Sequence, residues 1–188
     1  MDRAIEIAST VGIEGLTLGT LAESLELSKS GLFAHFKSRE ALQIAVLESA
    51  ANHFRELVVV PALRARRGEP RVRALYEHWL EWAQAPTLPG GCVFISASVE
   101  LDDRPGPVRD VLVQTQRDLL ELLSQTARSA IEEGHFRKNL DTEQFAFELF
   151  AIVLGYHHQS RLFRDPKALA RTKKAFERLL ESARVSRS

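Results

Sequence analysis

The sequence predicts an all-α protein: an N-terminal three-helix, helix-turn-helix domain followed by a larger C-terminal helical domain. Apolar residues recur at helical spacing over long stretches, whereas the alternation typical of strands is weak. Residues that cap helices precede these stretches, and glycine or proline follows them. Two short helical stretches near the N terminus are joined by Glu26 and Leu27, and this spacing is typical of a helix-turn-helix motif.

The first three helices are predicted to be short. Gly12 can end the first helix, and Thr17 can cap a second helix over about 18–25. Ser28 can cap a third helix over about 28–34. These elements place a small helical unit within roughly the first 37 residues.

The following helices are predicted to be long. Ser38 can cap a helix that meets neither glycine nor proline before Pro61. A regular helix from Ser38 to Val60 would span about 35 Å at about 1.5 Å per residue, as a stiff rod. Breaks between the remaining helices are predicted at 61–70, 85–91, 101–107, 134–141 and 164–166.

The last two helices are predicted over about 141–164 and 166–185. Asp141 with Gln144 fits a capping box, and Asp165–Pro166 is typical of a helix start. The stretch from Phe145 to Tyr156 is apolar on nearly all sides. Such a helix is buried all round, either in a core or between subunits.

Composition places few limits on function. The 188 residues are 45% hydrophobic and 27% charged, as in ordinary globular proteins. The formal net charge is zero, so nucleic-acid binding would need a local patch. One cysteine, Cys92, excludes an internal disulfide, and we interpret it as a small apolar filler. Without a signal peptide or membrane-length apolar run, we expect a cytoplasmic protein with no membrane partner.

The third helix combines packing residues with residues suited to an anion. Leu27, Leu32 and Phe36 are expected to pack on the first two helices. The start of the helix favours a phosphate through its backbone N–H groups, although Ser28 could also be a plain cap. Hydroxyls and lysines suit phosphate contacts that position a protein on DNA. The candidate DNA-binding residues are Thr17, Ser28, Lys29, Ser30, His35 and Lys37.

The segment TLGTLAESLELSKSGLFAHFKSREAL, from Thr17 to Leu42, resembles the N-terminal signature of the tetracycline-repressor (TetR) family. The shared features are a threonine cap, the Leu21-Ala22 and Ser28-Lys29 pairs, the aromatic run ending at Phe36, and the Ser-Arg-Glu-x-Leu motif from Ser38. The specific match covers about residues 4–47. Phe33 differs, since the family usually has a tyrosine there.

The resemblance implies a ligand-responsive, DNA-binding transcriptional regulator, with release of a repressor from operator DNA by a small molecule as the favoured mode. It implies a DNA-binding domain at 1–45 and a ligand-binding and dimerisation domain at 46–188. A homodimer would form through the last two helices and present its recognition helices about 34 Å apart. No cofactor is implied.

Charge in the N-terminal region is unfavourable for DNA. Residues 1–50 hold four basic and seven acidic side chains, a net of −3. Family members usually carry a longer first helix and a basic arm, for which this chain offers Arg3. Either the natural chain starts further upstream, or DNA affinity depends on a few local contacts made twice by a dimer.

The resemblance also implies a pocket for an effector of unknown identity among the middle helices. The aromatic candidates to line it are Trp79, Trp82, Phe94 and Phe150, and the polar candidates are Ser96, Gln114 and His157. For each of these side chains, the alternative is a core or interface role.

Two other classes of protein are alternatives to a DNA-binding regulator. A small helical enzyme is disfavoured, because the chain has no evident nucleophile–base pairing, phosphate loop or metal motif. His157 and His158 do not indicate a metal site, since adjacent helical residues point about 100° apart. A helical interaction module or small-molecule-binding protein without DNA binding is the other alternative.

Overall fold

A computed structural model describes residues 1–185, except the side chain of Lys29. This range is built from helices without a β-strand, which confirms the predicted fold class. The helices are α1 Asp2–Val11, α2 Leu18–Ser24, α3 Lys29–Phe36, α4 Arg39–Phe54, a π-helical turn Arg55–Val59, α5 Val60–Arg64, α6 Glu69–Ala83, α7 Val93–Leu101, α8 Pro107–Glu132, α9 Thr142–Arg161 and α10 Ala168–Ala183.

The chain divides into two units. Unit 1 comprises Met1–Arg55 and Ala83–Gln116, and unit 2 comprises Glu56–Trp82 and the residues from Arg117 onwards. None of the helices within residues 1–185 has the length and apolarity needed to cross a bilayer.

The predicted N-terminal caps are confirmed. Thr17 Oγ1 accepts a hydrogen bond from Thr20 N at 3.0 Å, and Thr20 Oγ1 accepts one from Thr17 N at 2.9 Å. Ser28 and Ser38 cap α3 and α4 through bonds of 3.2 and 3.0 Å to backbone amides three residues on. Gly12 ends α1 with a φ of 80°. These local side-chain bonds satisfy amides that a helix leaves unpaired.

The predicted regular helix from Ser38 to Val60 is wrong in two respects. After α4 the backbone widens into the π-helical turn Arg55–Val59, and it then continues through Pro61 to Arg64. Proline has no N–H to donate to the preceding turn, so it disturbs a regular α-helix. Here Pro61 lies in the first turn of α5, where a missing N–H is tolerated.

Two details near the C terminus also differ from the prediction. Asp141 caps α9 by accepting from the amides of Glu143 and Gln144, but the Gln144 side chain donates to Glu148 at 2.8 Å instead of completing the capping box. The last helix begins at Ala168 instead of residue 166. Asp165 accepts from Lys167 N at 2.9 Å, so it orders the turn before the helix.

The turn between α1 and α2 is held by hydrogen bonds to side chains of other helices in unit 1. The Glu100 carboxylate on α7 accepts from Ile13 N at 3.2 Å and from Glu14 N at 2.7 Å. The buried Gln43 side chain on α4 donates to the Ile13 carbonyl at 2.7 Å. The polar groups of this turn are therefore bonded to two other helices.

The loop before α7 lies directly against α1. Gly90 N donates to Ser9 Oγ at 3.0 Å. A Cβ atom on Gly90 would lie 1.5 Å from the Ser9 carbonyl oxygen, which is backbone and cannot move aside. Glycine is therefore required at this contact.

In unit 2, aromatic stacking and ion pairs join α6 to α10. The rings of Tyr76 and Phe176 stack with centroids 3.7 Å apart. Arg73 binds Glu177 through two bonds of 2.5 and 2.8 Å. Arg184 binds Glu69 through two bonds of 2.8 and 2.6 Å, which lower the pKa of Glu69.

Replacing Gly90 by alanine should destabilise unit 1 severely, by roughly 3 kcal/mol or more, since α1 and the loop must separate to admit the methyl group. Gly19→Ala is the matched control: it lies in α2, and its Cβ would meet Thr17 Oγ1 at an ordinary 3.5 Å. That change should be neutral or stabilise by about 0.5–1 kcal/mol. Denaturant unfolding of both variants tests this, and similar stabilities would contradict the described contact.

Candidate nucleic-acid interface and effector site

The segment between α2 and α3 has the geometry of a helix-turn-helix. Helices α2 and α3 pack on each other, and α3 also packs on α4. The turn is closed by a hydrogen bond from Leu27 N to the Ala22 carbonyl at 3.0 Å. Glu26 in this turn has a φ of 55°, in the left-handed region.

The inner side of α3 was predicted in part. Leu32 is buried and Phe36 is half-buried, as expected. Leu27 is 56% exposed, so its predicted packing on the first two helices is wrong. The left-handed conformation of Glu26 reverses the chain just before Leu27 and leaves that side chain in solvent.

The candidate DNA-binding residues mostly lie at the surface of α3 or at its ends. Ser28, Ser30, His35 and Lys37 are exposed, and Thr17 is half-buried. Ser30 Oγ donates to Ser28 Oγ at 3.2 Å, so two hydroxyls meet at the start of α3. The ring of His35 lies edge-on to Phe36, with centroids 4.6 Å apart. Lys29 begins α3, but its predicted side-chain role lies outside the described part of the structure.

Lys37 ends α3 in a strained conformation. Its φ is 64°, and its N–H donates to the Phe33 carbonyl at 2.8 Å. Glycine normally occupies such positions, because other residues pay about 1 kcal/mol for the left-handed region. Lys37 therefore holds an exposed ammonium group on a backbone conformation that is unusual for a residue with a side chain.

Arg39, by contrast, has an internal partner. It donates to the Glu14 carbonyl oxygen, and its guanidinium lies 3.3 Å from the Glu14 carboxylate. The same carboxylate lies 2.9 Å from Arg104. This cluster could not be predicted from the sequence, since Glu14, Arg39 and Arg104 are far apart along the chain.

Four of the effector candidates belong to unit 2. Trp79 and Trp82 are buried on α6, and Phe150 is half-buried on α9. The rings of Trp79 and Phe150 are neighbours, with centroids 5.9 Å apart. His157 is half-buried, and burial, followed by the charges of Arg161 and His158, lowers its pKa. Its neutral imidazole is therefore favoured.

The other three effector candidates belong to unit 1. Phe94 is buried on α7, and Gln114 is exposed on α8. Ser96 Oγ donates to the Val93 carbonyl at 3.1 Å, so its hydroxyl is already used within its own helix. Cys92 is buried just before α7.

Tyr76 is a candidate that sequence reasoning missed. Its side chain on α6 is 3% exposed, yet none of the described residues hydrogen-bonds to its hydroxyl. Burial raises the pKa of this phenol, with smaller effects from Glu177, Glu77 and Tyr156. Leaving a buried hydroxyl without a hydrogen-bond partner costs free energy of folding. A tyrosine at a core position of an amphipathic helix gives no sequence signal of this kind.

Helix α9 has one buried and one exposed apolar side. Phe145, Leu149 and Val153 are buried within unit 2. Phe147 is 64% exposed and Leu154 is 36% exposed. Beyond the helix, Leu162 and Phe163 are also exposed. In the described chain, no three His, Cys, Asp or Glu side chains are grouped to hold a metal ion.

Comparison with known proteins gives two family matches. Residues 1–46 match the family described as bacterial regulatory proteins, tetR family. Residues 68–176 match the tetracyclin repressor-like C-terminal domain. The HTH-type transcriptional repressor NemR of Escherichia coli K12 is 29% identical over 159 residues, covering 82% of this chain and 78% of NemR.

Solved structures share the fold. A TetR-family regulator from Cytophaga hutchinsonii superposes with a TM-score of 0.87 at 20% identity, covering 99% of this chain and 94% of its own. Reduced E. coli NemR superposes with a TM-score of 0.81 at 21% identity, covering 98% and 95%. The C-terminal family match alone spans more than half of the chain. The chain therefore belongs to the TetR family of bacterial regulatory proteins and is a ligand-responsive, DNA-binding transcriptional regulator.

Proposed function

We propose that the protein is a homodimeric cytoplasmic repressor that leaves its operator when a small molecule binds. The observation that carries this proposal is the α2–turn–α3 segment, in which a capped α3 exposes hydroxyl, imidazole and ammonium groups on a firmly packed support. Such a helix enters the major groove in helix-turn-helix proteins. We also propose that the protein is not an enzyme.

The DNA contacts are assigned by chemistry. The backbone amides at the start of α3, with Ser28, Lys29 and Ser30, suit one phosphate. Thr17 caps α2, and its hydroxyl can also contact a DNA phosphate. His35 and Lys37 lie at the other end of α3 and suit a second phosphate. The division into a DNA-binding domain at 1–45 and a ligand-binding and dimerisation domain at 46–188 is part of the proposal.

The homodimer is assigned to α9 and α10. The exposed apolar side chains of α9 would be covered by the same helices of a second chain. Large exposed apolar surfaces are typical of protein interfaces. A two-fold dimer would also present two α3 helices to successive turns of the major groove.

The effector is assigned to the aromatic residues of unit 2, where Tyr76, Trp79 and Phe150 supply apolar rings and one hydroxyl without a partner. His157 and Trp82, which also belong to unit 2, are kept as candidates for this site. Phe94, Ser96 and Gln114 belong to unit 1 and stay predictions from the sequence. Effector binding would change the helix that runs from α4 through the π-helical turn to α5. A coupling of about 1–3 kcal/mol, or roughly 5- to 150-fold in operator affinity, would be typical.

The proposed function is tested by titrating the protein into DNA from upstream of its own gene, with a random duplex of equal length as control. Tight, salt-sensitive binding that favours the upstream DNA would support a repressor. Equal affinity for both duplexes across a salt series that starts at low salt would contradict the choice of operator. Lack of binding to either at low salt would contradict the assigned contacts.

Lys37→Gly should weaken DNA binding while leaving the stability of the protein nearly unchanged. Glycine relieves the left-handed backbone, so the free energy of unfolding should change by less than about 1 kcal/mol. Two phosphate contacts per dimer would be lost, so the slope of log affinity against log salt should flatten by about 1.8.

Fluorescence anisotropy over a salt series measures this slope. Lys138→Ala, at an exposed lysine between α8 and α9, is the control and should leave the slope unchanged. If Lys37→Gly leaves the slope unchanged as well, Lys37 has no role at a phosphate.

Phe147→Glu should convert the dimer to monomers of 21.1 kDa, because it places a charge in the proposed apolar interface. The side chain is exposed in the single chain, so folding should persist by circular dichroism. Val99→Glu, on a valine of α7 that is also largely exposed, should leave the dimer intact. Sedimentation measures both masses, and a dimeric Phe147→Glu protein would argue against α9 as the interface.

Tyr76→Phe should raise the free energy of unfolding of the unliganded protein by about 1 kcal/mol, because it removes a buried hydroxyl that lacks a partner. Tyr156→Phe is the matched control: that hydroxyl bonds to Ser160, so its loss should destabilise the protein. Denaturant unfolding compares them. Destabilisation by both changes would show that the Tyr76 hydroxyl is satisfied without an effector.

A further inference from the structure

The composition of α3 limits how it can read bases. The helix from Lys29 to Phe36, KSGLFAHF, contains no arginine, asparagine, glutamine, aspartate or glutamate. Arginine, asparagine and glutamine make the bidentate contacts that identify guanine and adenine, and carboxylates accept from cytosine. Lysine, which can also contact guanine, occurs at the start of the helix as Lys29 and just after it as Lys37. Ser30 can contact base edges too, but serine does not discriminate between them.

The outward side of α3 is partly apolar. Leu32 and Phe36 mark the inner side, because they are buried and half-buried. At about 100° per residue, Ala34 lies opposite that side and Phe33 lies at its border. Phe33 is 55% exposed, and Ala34 is exposed as well.

Phe33, which is exposed next to this outward side, has one apolar counterpart in the major groove. The base edges present hydrogen-bonding groups and one apolar group, the C5-methyl of thymine. Phenylalanine and alanine are both side chains that contact this methyl group. The ring of His35, by comparison, lies edge-on to Phe36, and its polar imidazole suits a phosphate contact better than a methyl group.

We propose that Phe33 and Ala34 read thymine methyl groups, so that thymine positions dominate direct sequence recognition in each operator half-site. This inference rests on the proposed function, in which α3 enters the major groove. It adds a determinant of specificity to contacts that otherwise position the protein without reading sequence.

The test begins with a duplex selected from random DNA for tight binding. Each thymine is then replaced by deoxyuridine, which keeps the hydrogen-bonding edge and removes the methyl group. One lost methyl contact should weaken binding about fourfold, and the symmetric pair about 15-fold. Anisotropy titrations at constant salt measure each change.

The variants assign the methyl contact to a side chain. At the thymine that Phe33 contacts, the Phe33→Ala protein should bind the thymine and the deoxyuridine duplex with equal affinity. The control Val99→Ala, at an exposed apolar residue of α7, should keep the wild-type difference in affinity. Phe33 is largely exposed, so its replacement should leave thermal unfolding nearly unchanged.

Three results would overturn the inference. Tight wild-type binding that ignores deoxyuridine at every position would remove methyl recognition while leaving DNA binding by α3 intact. A methyl effect that persists in both Phe33→Ala and Ala34→Gly would assign it to other residues. Selection that enriches no sequence would instead overturn selective DNA binding, and with it the inference.

Discussion

The position of the DNA-binding helices depends on the Glu100 carboxylate, which accepts hydrogen bonds from the backbone of Ile13 and Glu14. Leu32 is the buried residue among the described side chains of α3, so this helix cannot fix its own place in the core. It packs on α2 and α4, which α1 contacts in turn. The turn between α1 and α2 is held by hydrogen bonds from α7 and from Gln43. The contact of Gly90 with α1 adds to this support, and α7 itself contacts α1 and α4 within the same unit.

The same arrangement explains the unfavourable charge of the N-terminal region. Glu14 is engaged with Arg39 and Arg104, so part of the negative charge is neutralised within unit 1, and Arg39 is occupied by that pairing. Because Arg39 is paired, Lys37 supplies much of the positive charge at the C-terminal end of α3. Few cations per chain make binding by a symmetric dimer valuable, because each contact is made twice.

Sequence patterns correctly predicted the helix caps, which depend only on residues close together along the chain. The caps at Thr17, Ser28 and Ser38 were predictable because each side chain bonds an amide three residues away. The exposure of Leu27, the π-helical turn before Pro61 and the hydroxyl of Tyr76 were not, since backbone conformation and tertiary packing decide them. The bond from Glu100 to the α1–α2 turn joins residues more than eighty positions apart, beyond the reach of periodicity or capping patterns.

The central claim is that the exposed side of α3 is the surface that contacts DNA. Hydrogen exchange followed by mass spectrometry, with and without a tightly bound duplex, tests it most directly. We expect slower exchange in peptides that cover residues 28–37, because DNA excludes water from the start and end of α3, and unchanged exchange in α10. Unchanged exchange over 28–37, with protection elsewhere in the chain, would contradict the account.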